Sequence, residues 1–100
     1  SQYIHRLIHR HNLFYQKNQD REVDFVIKEG KNVSQLIQVC FNLKASKVKE
    51  REISALIEAS DELKCSNLLI ITENFENEEK IKGKTISYIP LWKWLLEEKI

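Results

Sequence analysis

The stretch from Glu22 to Asn42 carries the clearest pattern of apolar and polar positions in the chain. Val23, Phe25 and Ile27 alternate with Asp24, Val26 and Lys28, the period of two that a pleated strand imposes. Residues Lys28 to Asn32 supply a turn, with Gly30 free to take a positive φ. The run from Val33 to Phe41 predicts a second strand. Leu36, Gln38 and Cys40 fall on one of its faces and Ile37, Val39 and Phe41 on the other. A strand interior is an unfavourable place for an aspartate, so Asp24 needs a reason to be there.

On either side of this hairpin the pattern changes period. Residues 2–10 put Ile4, Leu7 and Ile8 on one helical face, which predicts an amphipathic helix. Leu13 to Lys17 predict a short first strand, so a three-strand meander follows the helix. Ser46 is placed to cap a helix over 47–64, where Ile53, Leu56, Ile57 and Leu63 form the apolar stripe with Ser60 among them. Asn67 to Thr72 is apolar without alternation, which suits a parallel strand covered on both faces and reached by a right-handed helical crossover. Glu73 to Lys84 read as a solvated loop, and Thr85 to Ile89 as a last strand. Pro90 fits the first turn of a closing helix over 90–98, with Leu91, Trp92, Leu95 and Leu96 on its apolar side. Trp92 and Trp94 diverge by about 200° on a helix. One is expected in the core and the other outside, where an exposed tryptophan can anchor a partner.

Composition narrows the function classes. A chain of 100 residues with 42% hydrophobic side chains makes one domain with a modest core. Its net charge of +1 gives no global argument for nucleic-acid binding, so any such argument must be local. No apolar run is long enough to span a membrane. Cys40 and Cys65 lie in apolar contexts without C-x-x-C spacing, which predicts buried free thiols and a cytoplasmic setting. The chain has neither glycine-rich phosphate-binding motif, so it binds no nucleotide by those routes. It opens inside a helical pattern at Ser1, and the expectation is a fragment of a longer protein. From Ser1 to Gln19 there is no acid. Arg6, Arg10 and Lys17, with Tyr3 and Tyr15 nearby, form a local basic patch that could meet nucleic-acid phosphates. An ordinary solvated helix face, or a seam to the rest of a longer protein, explains the same residues. His5 and His9 have a metal-compatible i, i+4 spacing but no evident third ligand, and a surface helix is the simpler reading.

The segments REVDFVI, LIQVC, REISALIEA, LLIIT and IPLWKWLL, taken together and in this order, carry a resemblance over roughly Leu13 to Leu96. The order of elements resembles the PD-(D/E)XK nuclease-like superfamily, whose pattern is an Asp on one strand and E-x-K on the next. More narrowly, the segments resemble the C-terminal domain of unknown function found on many prokaryotic AAA-type ATPases. The resemblance implies one α/β domain over 1–100, a restriction-endonuclease-like mixed sheet flanked by helices in the order αβββαββα. It also implies an ATPase part of the same longer chain as partner.

In that pattern two acidic oxygens hold Mg²⁺ and a lysine orients the attacking water. Here Asp24 matches the strand acid, Gln38 stands at the second acid and Cys40 at the lysine. The Gln carbonyl is uncharged and the Cys supplies no cation. Residues 1–19 lack the further helix acid that the superfamily often has. The expectation is a degenerate, inactive site at Asp24, Gln38 and Cys40 without a metal, in which Asp24 and Gln38 form a buried polar pair. The leading function is then a non-catalytic accessory domain that recognises DNA or the ATPase itself. The alternatives are an active Mg²⁺-dependent DNA nuclease and a structural or oligomerising module.

Overall fold

The computed structural model describes residues 14–18 and 23–97. The helix expected over 2–10, with His5, Arg6, His9 and Arg10, lies outside the described residues. The elements run β1 (Phe14–Asn18), β2 (Val23–Glu29), β3 (Asn32–Val39), α1 (Ser46–Leu63), β4 (Leu68–Thr72), β5 (Asn77–Ile81), β6 (Lys84–Pro90) and α2 (Leu91–Glu97). All strands join one sheet in the order β1-β2-β3-β4-β6-β5. β1, β2 and β3 form the antiparallel meander, β3, β4 and β6 run parallel, and β5 returns antiparallel to β6. This is the mixed α/β class the sequence pattern predicts.

The unbroken apolar run earns its central place. Every residue of β4 is buried, between β3 and β6. One side of the sheet packs on α1 through Val26, Leu36, Leu68, Ile70 and Ile86 against Ile53, Leu56 and Ile57. The other side collects Phe25, Ile27, Ile37, Leu69 and Ile71 with Trp94 of α2. Alternation along β3 and β4 therefore feeds two cores. Ser60, the one polar residue in the α1 stripe, is buried because it closes the helix. Its Oγ donates to Cys65 O at 2.5 Å, and its carbonyl accepts the Cys65 N–H at 3.1 Å.

Two irregularities re-aim side chains. Between β2 and β3 the register moves from Lys28↔Val33 to Ile27↔Gln35, leaving Ser34 as an extra residue. Between β1 and β2 it moves from Gln16↔Val26 to Asn18↔Val23, so Asp24 and Phe25 together face Lys17. Simple alternation groups Val23 with Phe25 and Ile27. The extra residue instead puts Val23 with Val26 in the core under α1.

Four further expectations are corrected. Residues 73–84 are not simply a loop, because Asn77–Ile81 pairs with β6 as a strand. That strand is acidic and mostly exposed, so it lacks the apolar alternation that marks strands. The last strand reaches Pro90 and the closing helix starts at Leu91, so Pro90 ends a strand instead of opening a helix. Ser46 does not cap α1. Ala45 holds that position, with no side-chain cap. On α2, Leu91 and Leu95 pack on the sheet as expected, but the buried tryptophan between them is Trp94, while Trp92 and Leu96 are exposed. The expected split between the two tryptophans holds.

Among the described residues, no helix is long and apolar enough to cross a membrane. Cys40 and Cys65 are both free and buried.

Candidate functional site

Asp24, Gln38 and Cys40 come together at the end of the sheet where parallel β3, β4 and β6 finish. β2 runs antiparallel to β3, so Asp24 near its start stands beside Gln38 near the end of β3. Ligands of open α/β sheets bind outside such carboxyl ends. Backbone pairing between β2 and β3 runs from Glu29↔Asn32 to Phe25↔Ile37 and stops there.

Side chains take over at that point. The Asp24 backbone N–H donates to Gln38 Oε1 at 2.8 Å. In return the Val39 backbone N–H donates to Asp24 Oδ2 at 2.8 Å. Two backbone donors at the end of a ladder are thereby satisfied by side-chain oxygens. Gln38 is fully buried, and its Nε2 reaches the Glu52 carbonyl of α1 at 3.5 Å. One amide thus ties β2, β3 and α1 together. This is the reason for an aspartate inside a strand that the sequence left open.

Cys40 sits one residue past β3. Its N–H donates to Ile71 O at 2.9 Å, extending the contact with β4, and its side chain is buried in the core under α1. Burial pushes its thiol above the ordinary value, the Asn42 backbone partly offsets this, and Glu52 adds to the rise. The thiol is neutral at physiological pH and supplies no positive charge.

The structure therefore joins Asp24 and Gln38 directly and sets Cys40 close by. Lys17 lies in β1, and Arg6 and Arg10 fall outside the described residues. Among the described residues no three acidic, histidine or cysteine side chains are grouped to hold a metal. The chemistry of the donors points the same way. One Asp24 oxygen is committed to Val39 N–H, the Gln38 oxygen is committed to Asp24 N–H, and the third position is a protonated thiol. These residues do not fit the Mg²⁺ site that the resemblance implies, and no catalytic step follows from them.

A second polar group at the same end of the sheet was not singled out from sequence. The Tyr88 hydroxyl, on a buried ring, donates to Glu79 Oε1. Lys49 Nζ lies 3.9 Å from Glu79 Oε2 and 5.8 Å from the centre of the Tyr88 ring. Phe75 meets that ring edge-on at 5.4 Å, and its backbone is fixed by Thr72, whose Oγ accepts the Phe75 N–H at 3.0 Å. Burial first, and the Glu79 hydrogen bond second, push the Tyr88 phenol well above its ordinary value. The alternation through β6 was a usable signal for Tyr88. Glu79 had none, because its strand reads as a loop. Phe41 and Phe75 remain exposed at this end.

The chain is 46% identical over 95 residues to an uncharacterized protein of Methanocaldococcus jannaschii, a match taking in 89% of this chain and 21% of that protein. The chain thus spans about a fifth of the length of this relative. No family model matches it, and no solved structure does.

Proposed function

We propose that this chain is a non-catalytic, nuclease-like recognition domain of a longer cytoplasmic protein, with a restriction-endonuclease-like arrangement of its mixed sheet. The observation that carries the reading is the clasp of Asp24, Gln38 and Val39, which uses for structure one Asp24 oxygen and the Gln38 oxygen at positions where a nuclease would turn acidic oxygens toward a metal. The match to about a fifth of a longer relative supports a domain role. The resemblance supports an AAA-type ATPase as the remainder of that protein. The domain recognises DNA, or docks on the ATPase part, without cutting. Titrating the chain with duplex and single-stranded DNA at low and rising salt tests recognition. Affinity that falls steeply with salt supports DNA as the partner, because phosphate contacts release counterions. No affinity at low salt leaves the ATPase part as the partner.

A further inference from the structure

Independently of that reading, the geometry points to β5 as a surface for a second copy of this chain, pairing antiparallel with its own counterpart about a two-fold axis at Glu79. β5 is the last strand on its side of the sheet and pairs only with β6 among the described residues. Its hairpin turns through Lys82 at φ 51° and Gly83 at φ 79°. Two positive φ values mark a two-residue turn that matches strand twist, and its closing pair is Ile81↔Lys84. Hydrogen-bonded and non-bonded pairs alternate along such a ladder. Ile81, Glu79 and Asn77 therefore aim their backbone groups at β6. Glu78 and Lys80 aim theirs at the free edge.

The side chains of these two residues share the face opposite Glu79, by strand alternation. Both are exposed. Neither forms an ion pair or a side-chain hydrogen bond with another described residue. A two-fold axis at Glu79 places Glu78 opposite Lys80 of the second copy, and Lys80 opposite its Glu78. Those are the residues whose N–H and C=O groups are free to exchange hydrogen bonds across the edge. The same register puts opposite charges together twice. Moving the axis by one residue in either direction, a slip of two in register, sets Glu78 against Glu78, or Lys80 against Lys80. Charges on an edge strand commonly block pairing with other chains. Here their order rejects the neighbouring registers and admits one.

The two Glu79 residues meet at the axis, but each carboxylate is drawn back over its own sheet by the Tyr88 hydroxyl and Lys49. The contact is short, so the association is weak and reversible, and it strengthens when copies are brought together on a larger assembly.

The test is sedimentation equilibrium of the 100-residue chain at low salt up to millimolar concentration, beside amide exchange at Glu78 and Lys80. The expected result is a reversible dimer, with both amides slowing in exchange as concentration rises. E78K and K80E, both at exposed positions, should each weaken the dimer roughly tenfold by turning two attractive pairs into repulsive ones. An equimolar mixture of the two variants should recover the association as a heterodimer. A chain that stays monomeric to millimolar concentration overturns the proposal. So does a dimer that either variant leaves unchanged, or that the mixture fails to restore.

Discussion

The backbone N–H of Asp24 rests at 2.8 Å on the side-chain oxygen of Gln38, a residue whose neighbours two positions away, Leu36 and Cys40, aim their main chains at β4. The ladder of β2 and β3 ends one pair earlier, at Phe25↔Ile37. The carboxylate of Asp24 closes the gap from the other side by accepting the Val39 N–H. The two strands part at this end of the sheet while remaining tied.

That tie predicts a graded response to substitution. Asp24→Ala leaves the Val39 N–H without its partner and should cost about 1–3 kcal/mol, the penalty for stranding a partly buried donor. Asp24→Asn keeps an oxygen at the same place and should cost less than half as much. Urea denaturation of both variants checks the order. Equal losses would show that the charge, not the acceptor, matters.

The packing of α1 makes a second prediction. Leu56 is fully buried between the helix and the sheet. Leu56→Ala should destabilise the fold by about 2–5 kcal/mol through the cavity it leaves. Chemical denaturation measures this directly, and a loss below about 0.5 kcal/mol would contradict the placement of the helix.

What the sequence made legible follows periodicity. β4 and the stripe of Ile53, Leu56 and Ile57 were readable because burial on both faces, or on one helical face, leaves a pattern in residue type. β5 was not, since Asn77 to Ile81 owes its strand mainly to a tight turn and to β6, with Ile81 its one apolar residue and only half-buried. The faces of β2 were half legible. Alternation assigned Phe25 and Ile27 correctly and failed at Val23, where the register shift beside Asp24 adds a residue that no composition rule marks. At the candidate site, residue types showed that Gln38 and Cys40 lack the charges of a metal site. They could not show that Asp24 binds a backbone amide, because this depends on where the ladder stops.

A third prediction concerns pH. The Tyr88 phenol is raised above its ordinary value of 10 by burial and by Glu79. The folded state therefore keeps a proton that the unfolded chain gives up. The resulting stability is fully present below about pH 10 and is lost as pH climbs toward the raised value, at up to about 1.4 kcal/mol per pH unit. Denaturation between pH 9 and 11 should show this slope in the parent and a shallower one in Tyr88→Phe. Identical slopes would contradict the assignment.

The acid-free segment gives a fourth. If its cations touch DNA, replacing Arg6 and Arg10 with alanine should flatten the salt dependence of binding by up to about two phosphate contacts, without changing sequence preference. Fluorescence titrations over a range of salt read the slope. An unchanged slope would move the contact elsewhere on the domain.

The most direct test of the central claim is a cleavage assay with Mg²⁺ and with Mn²⁺ on single-stranded, duplex and branched DNA, run on the parent, on Asp24→Ala and on the double variant Gln38→Glu with Cys40→Lys. The account predicts no metal-dependent cleavage by the parent, since one Asp24 oxygen and the neutral Gln38 oxygen are already bound to backbone and no cation stands at Cys40. Metal-dependent cleavage by the parent that disappears in Asp24→Ala would contradict it and make this domain a nuclease.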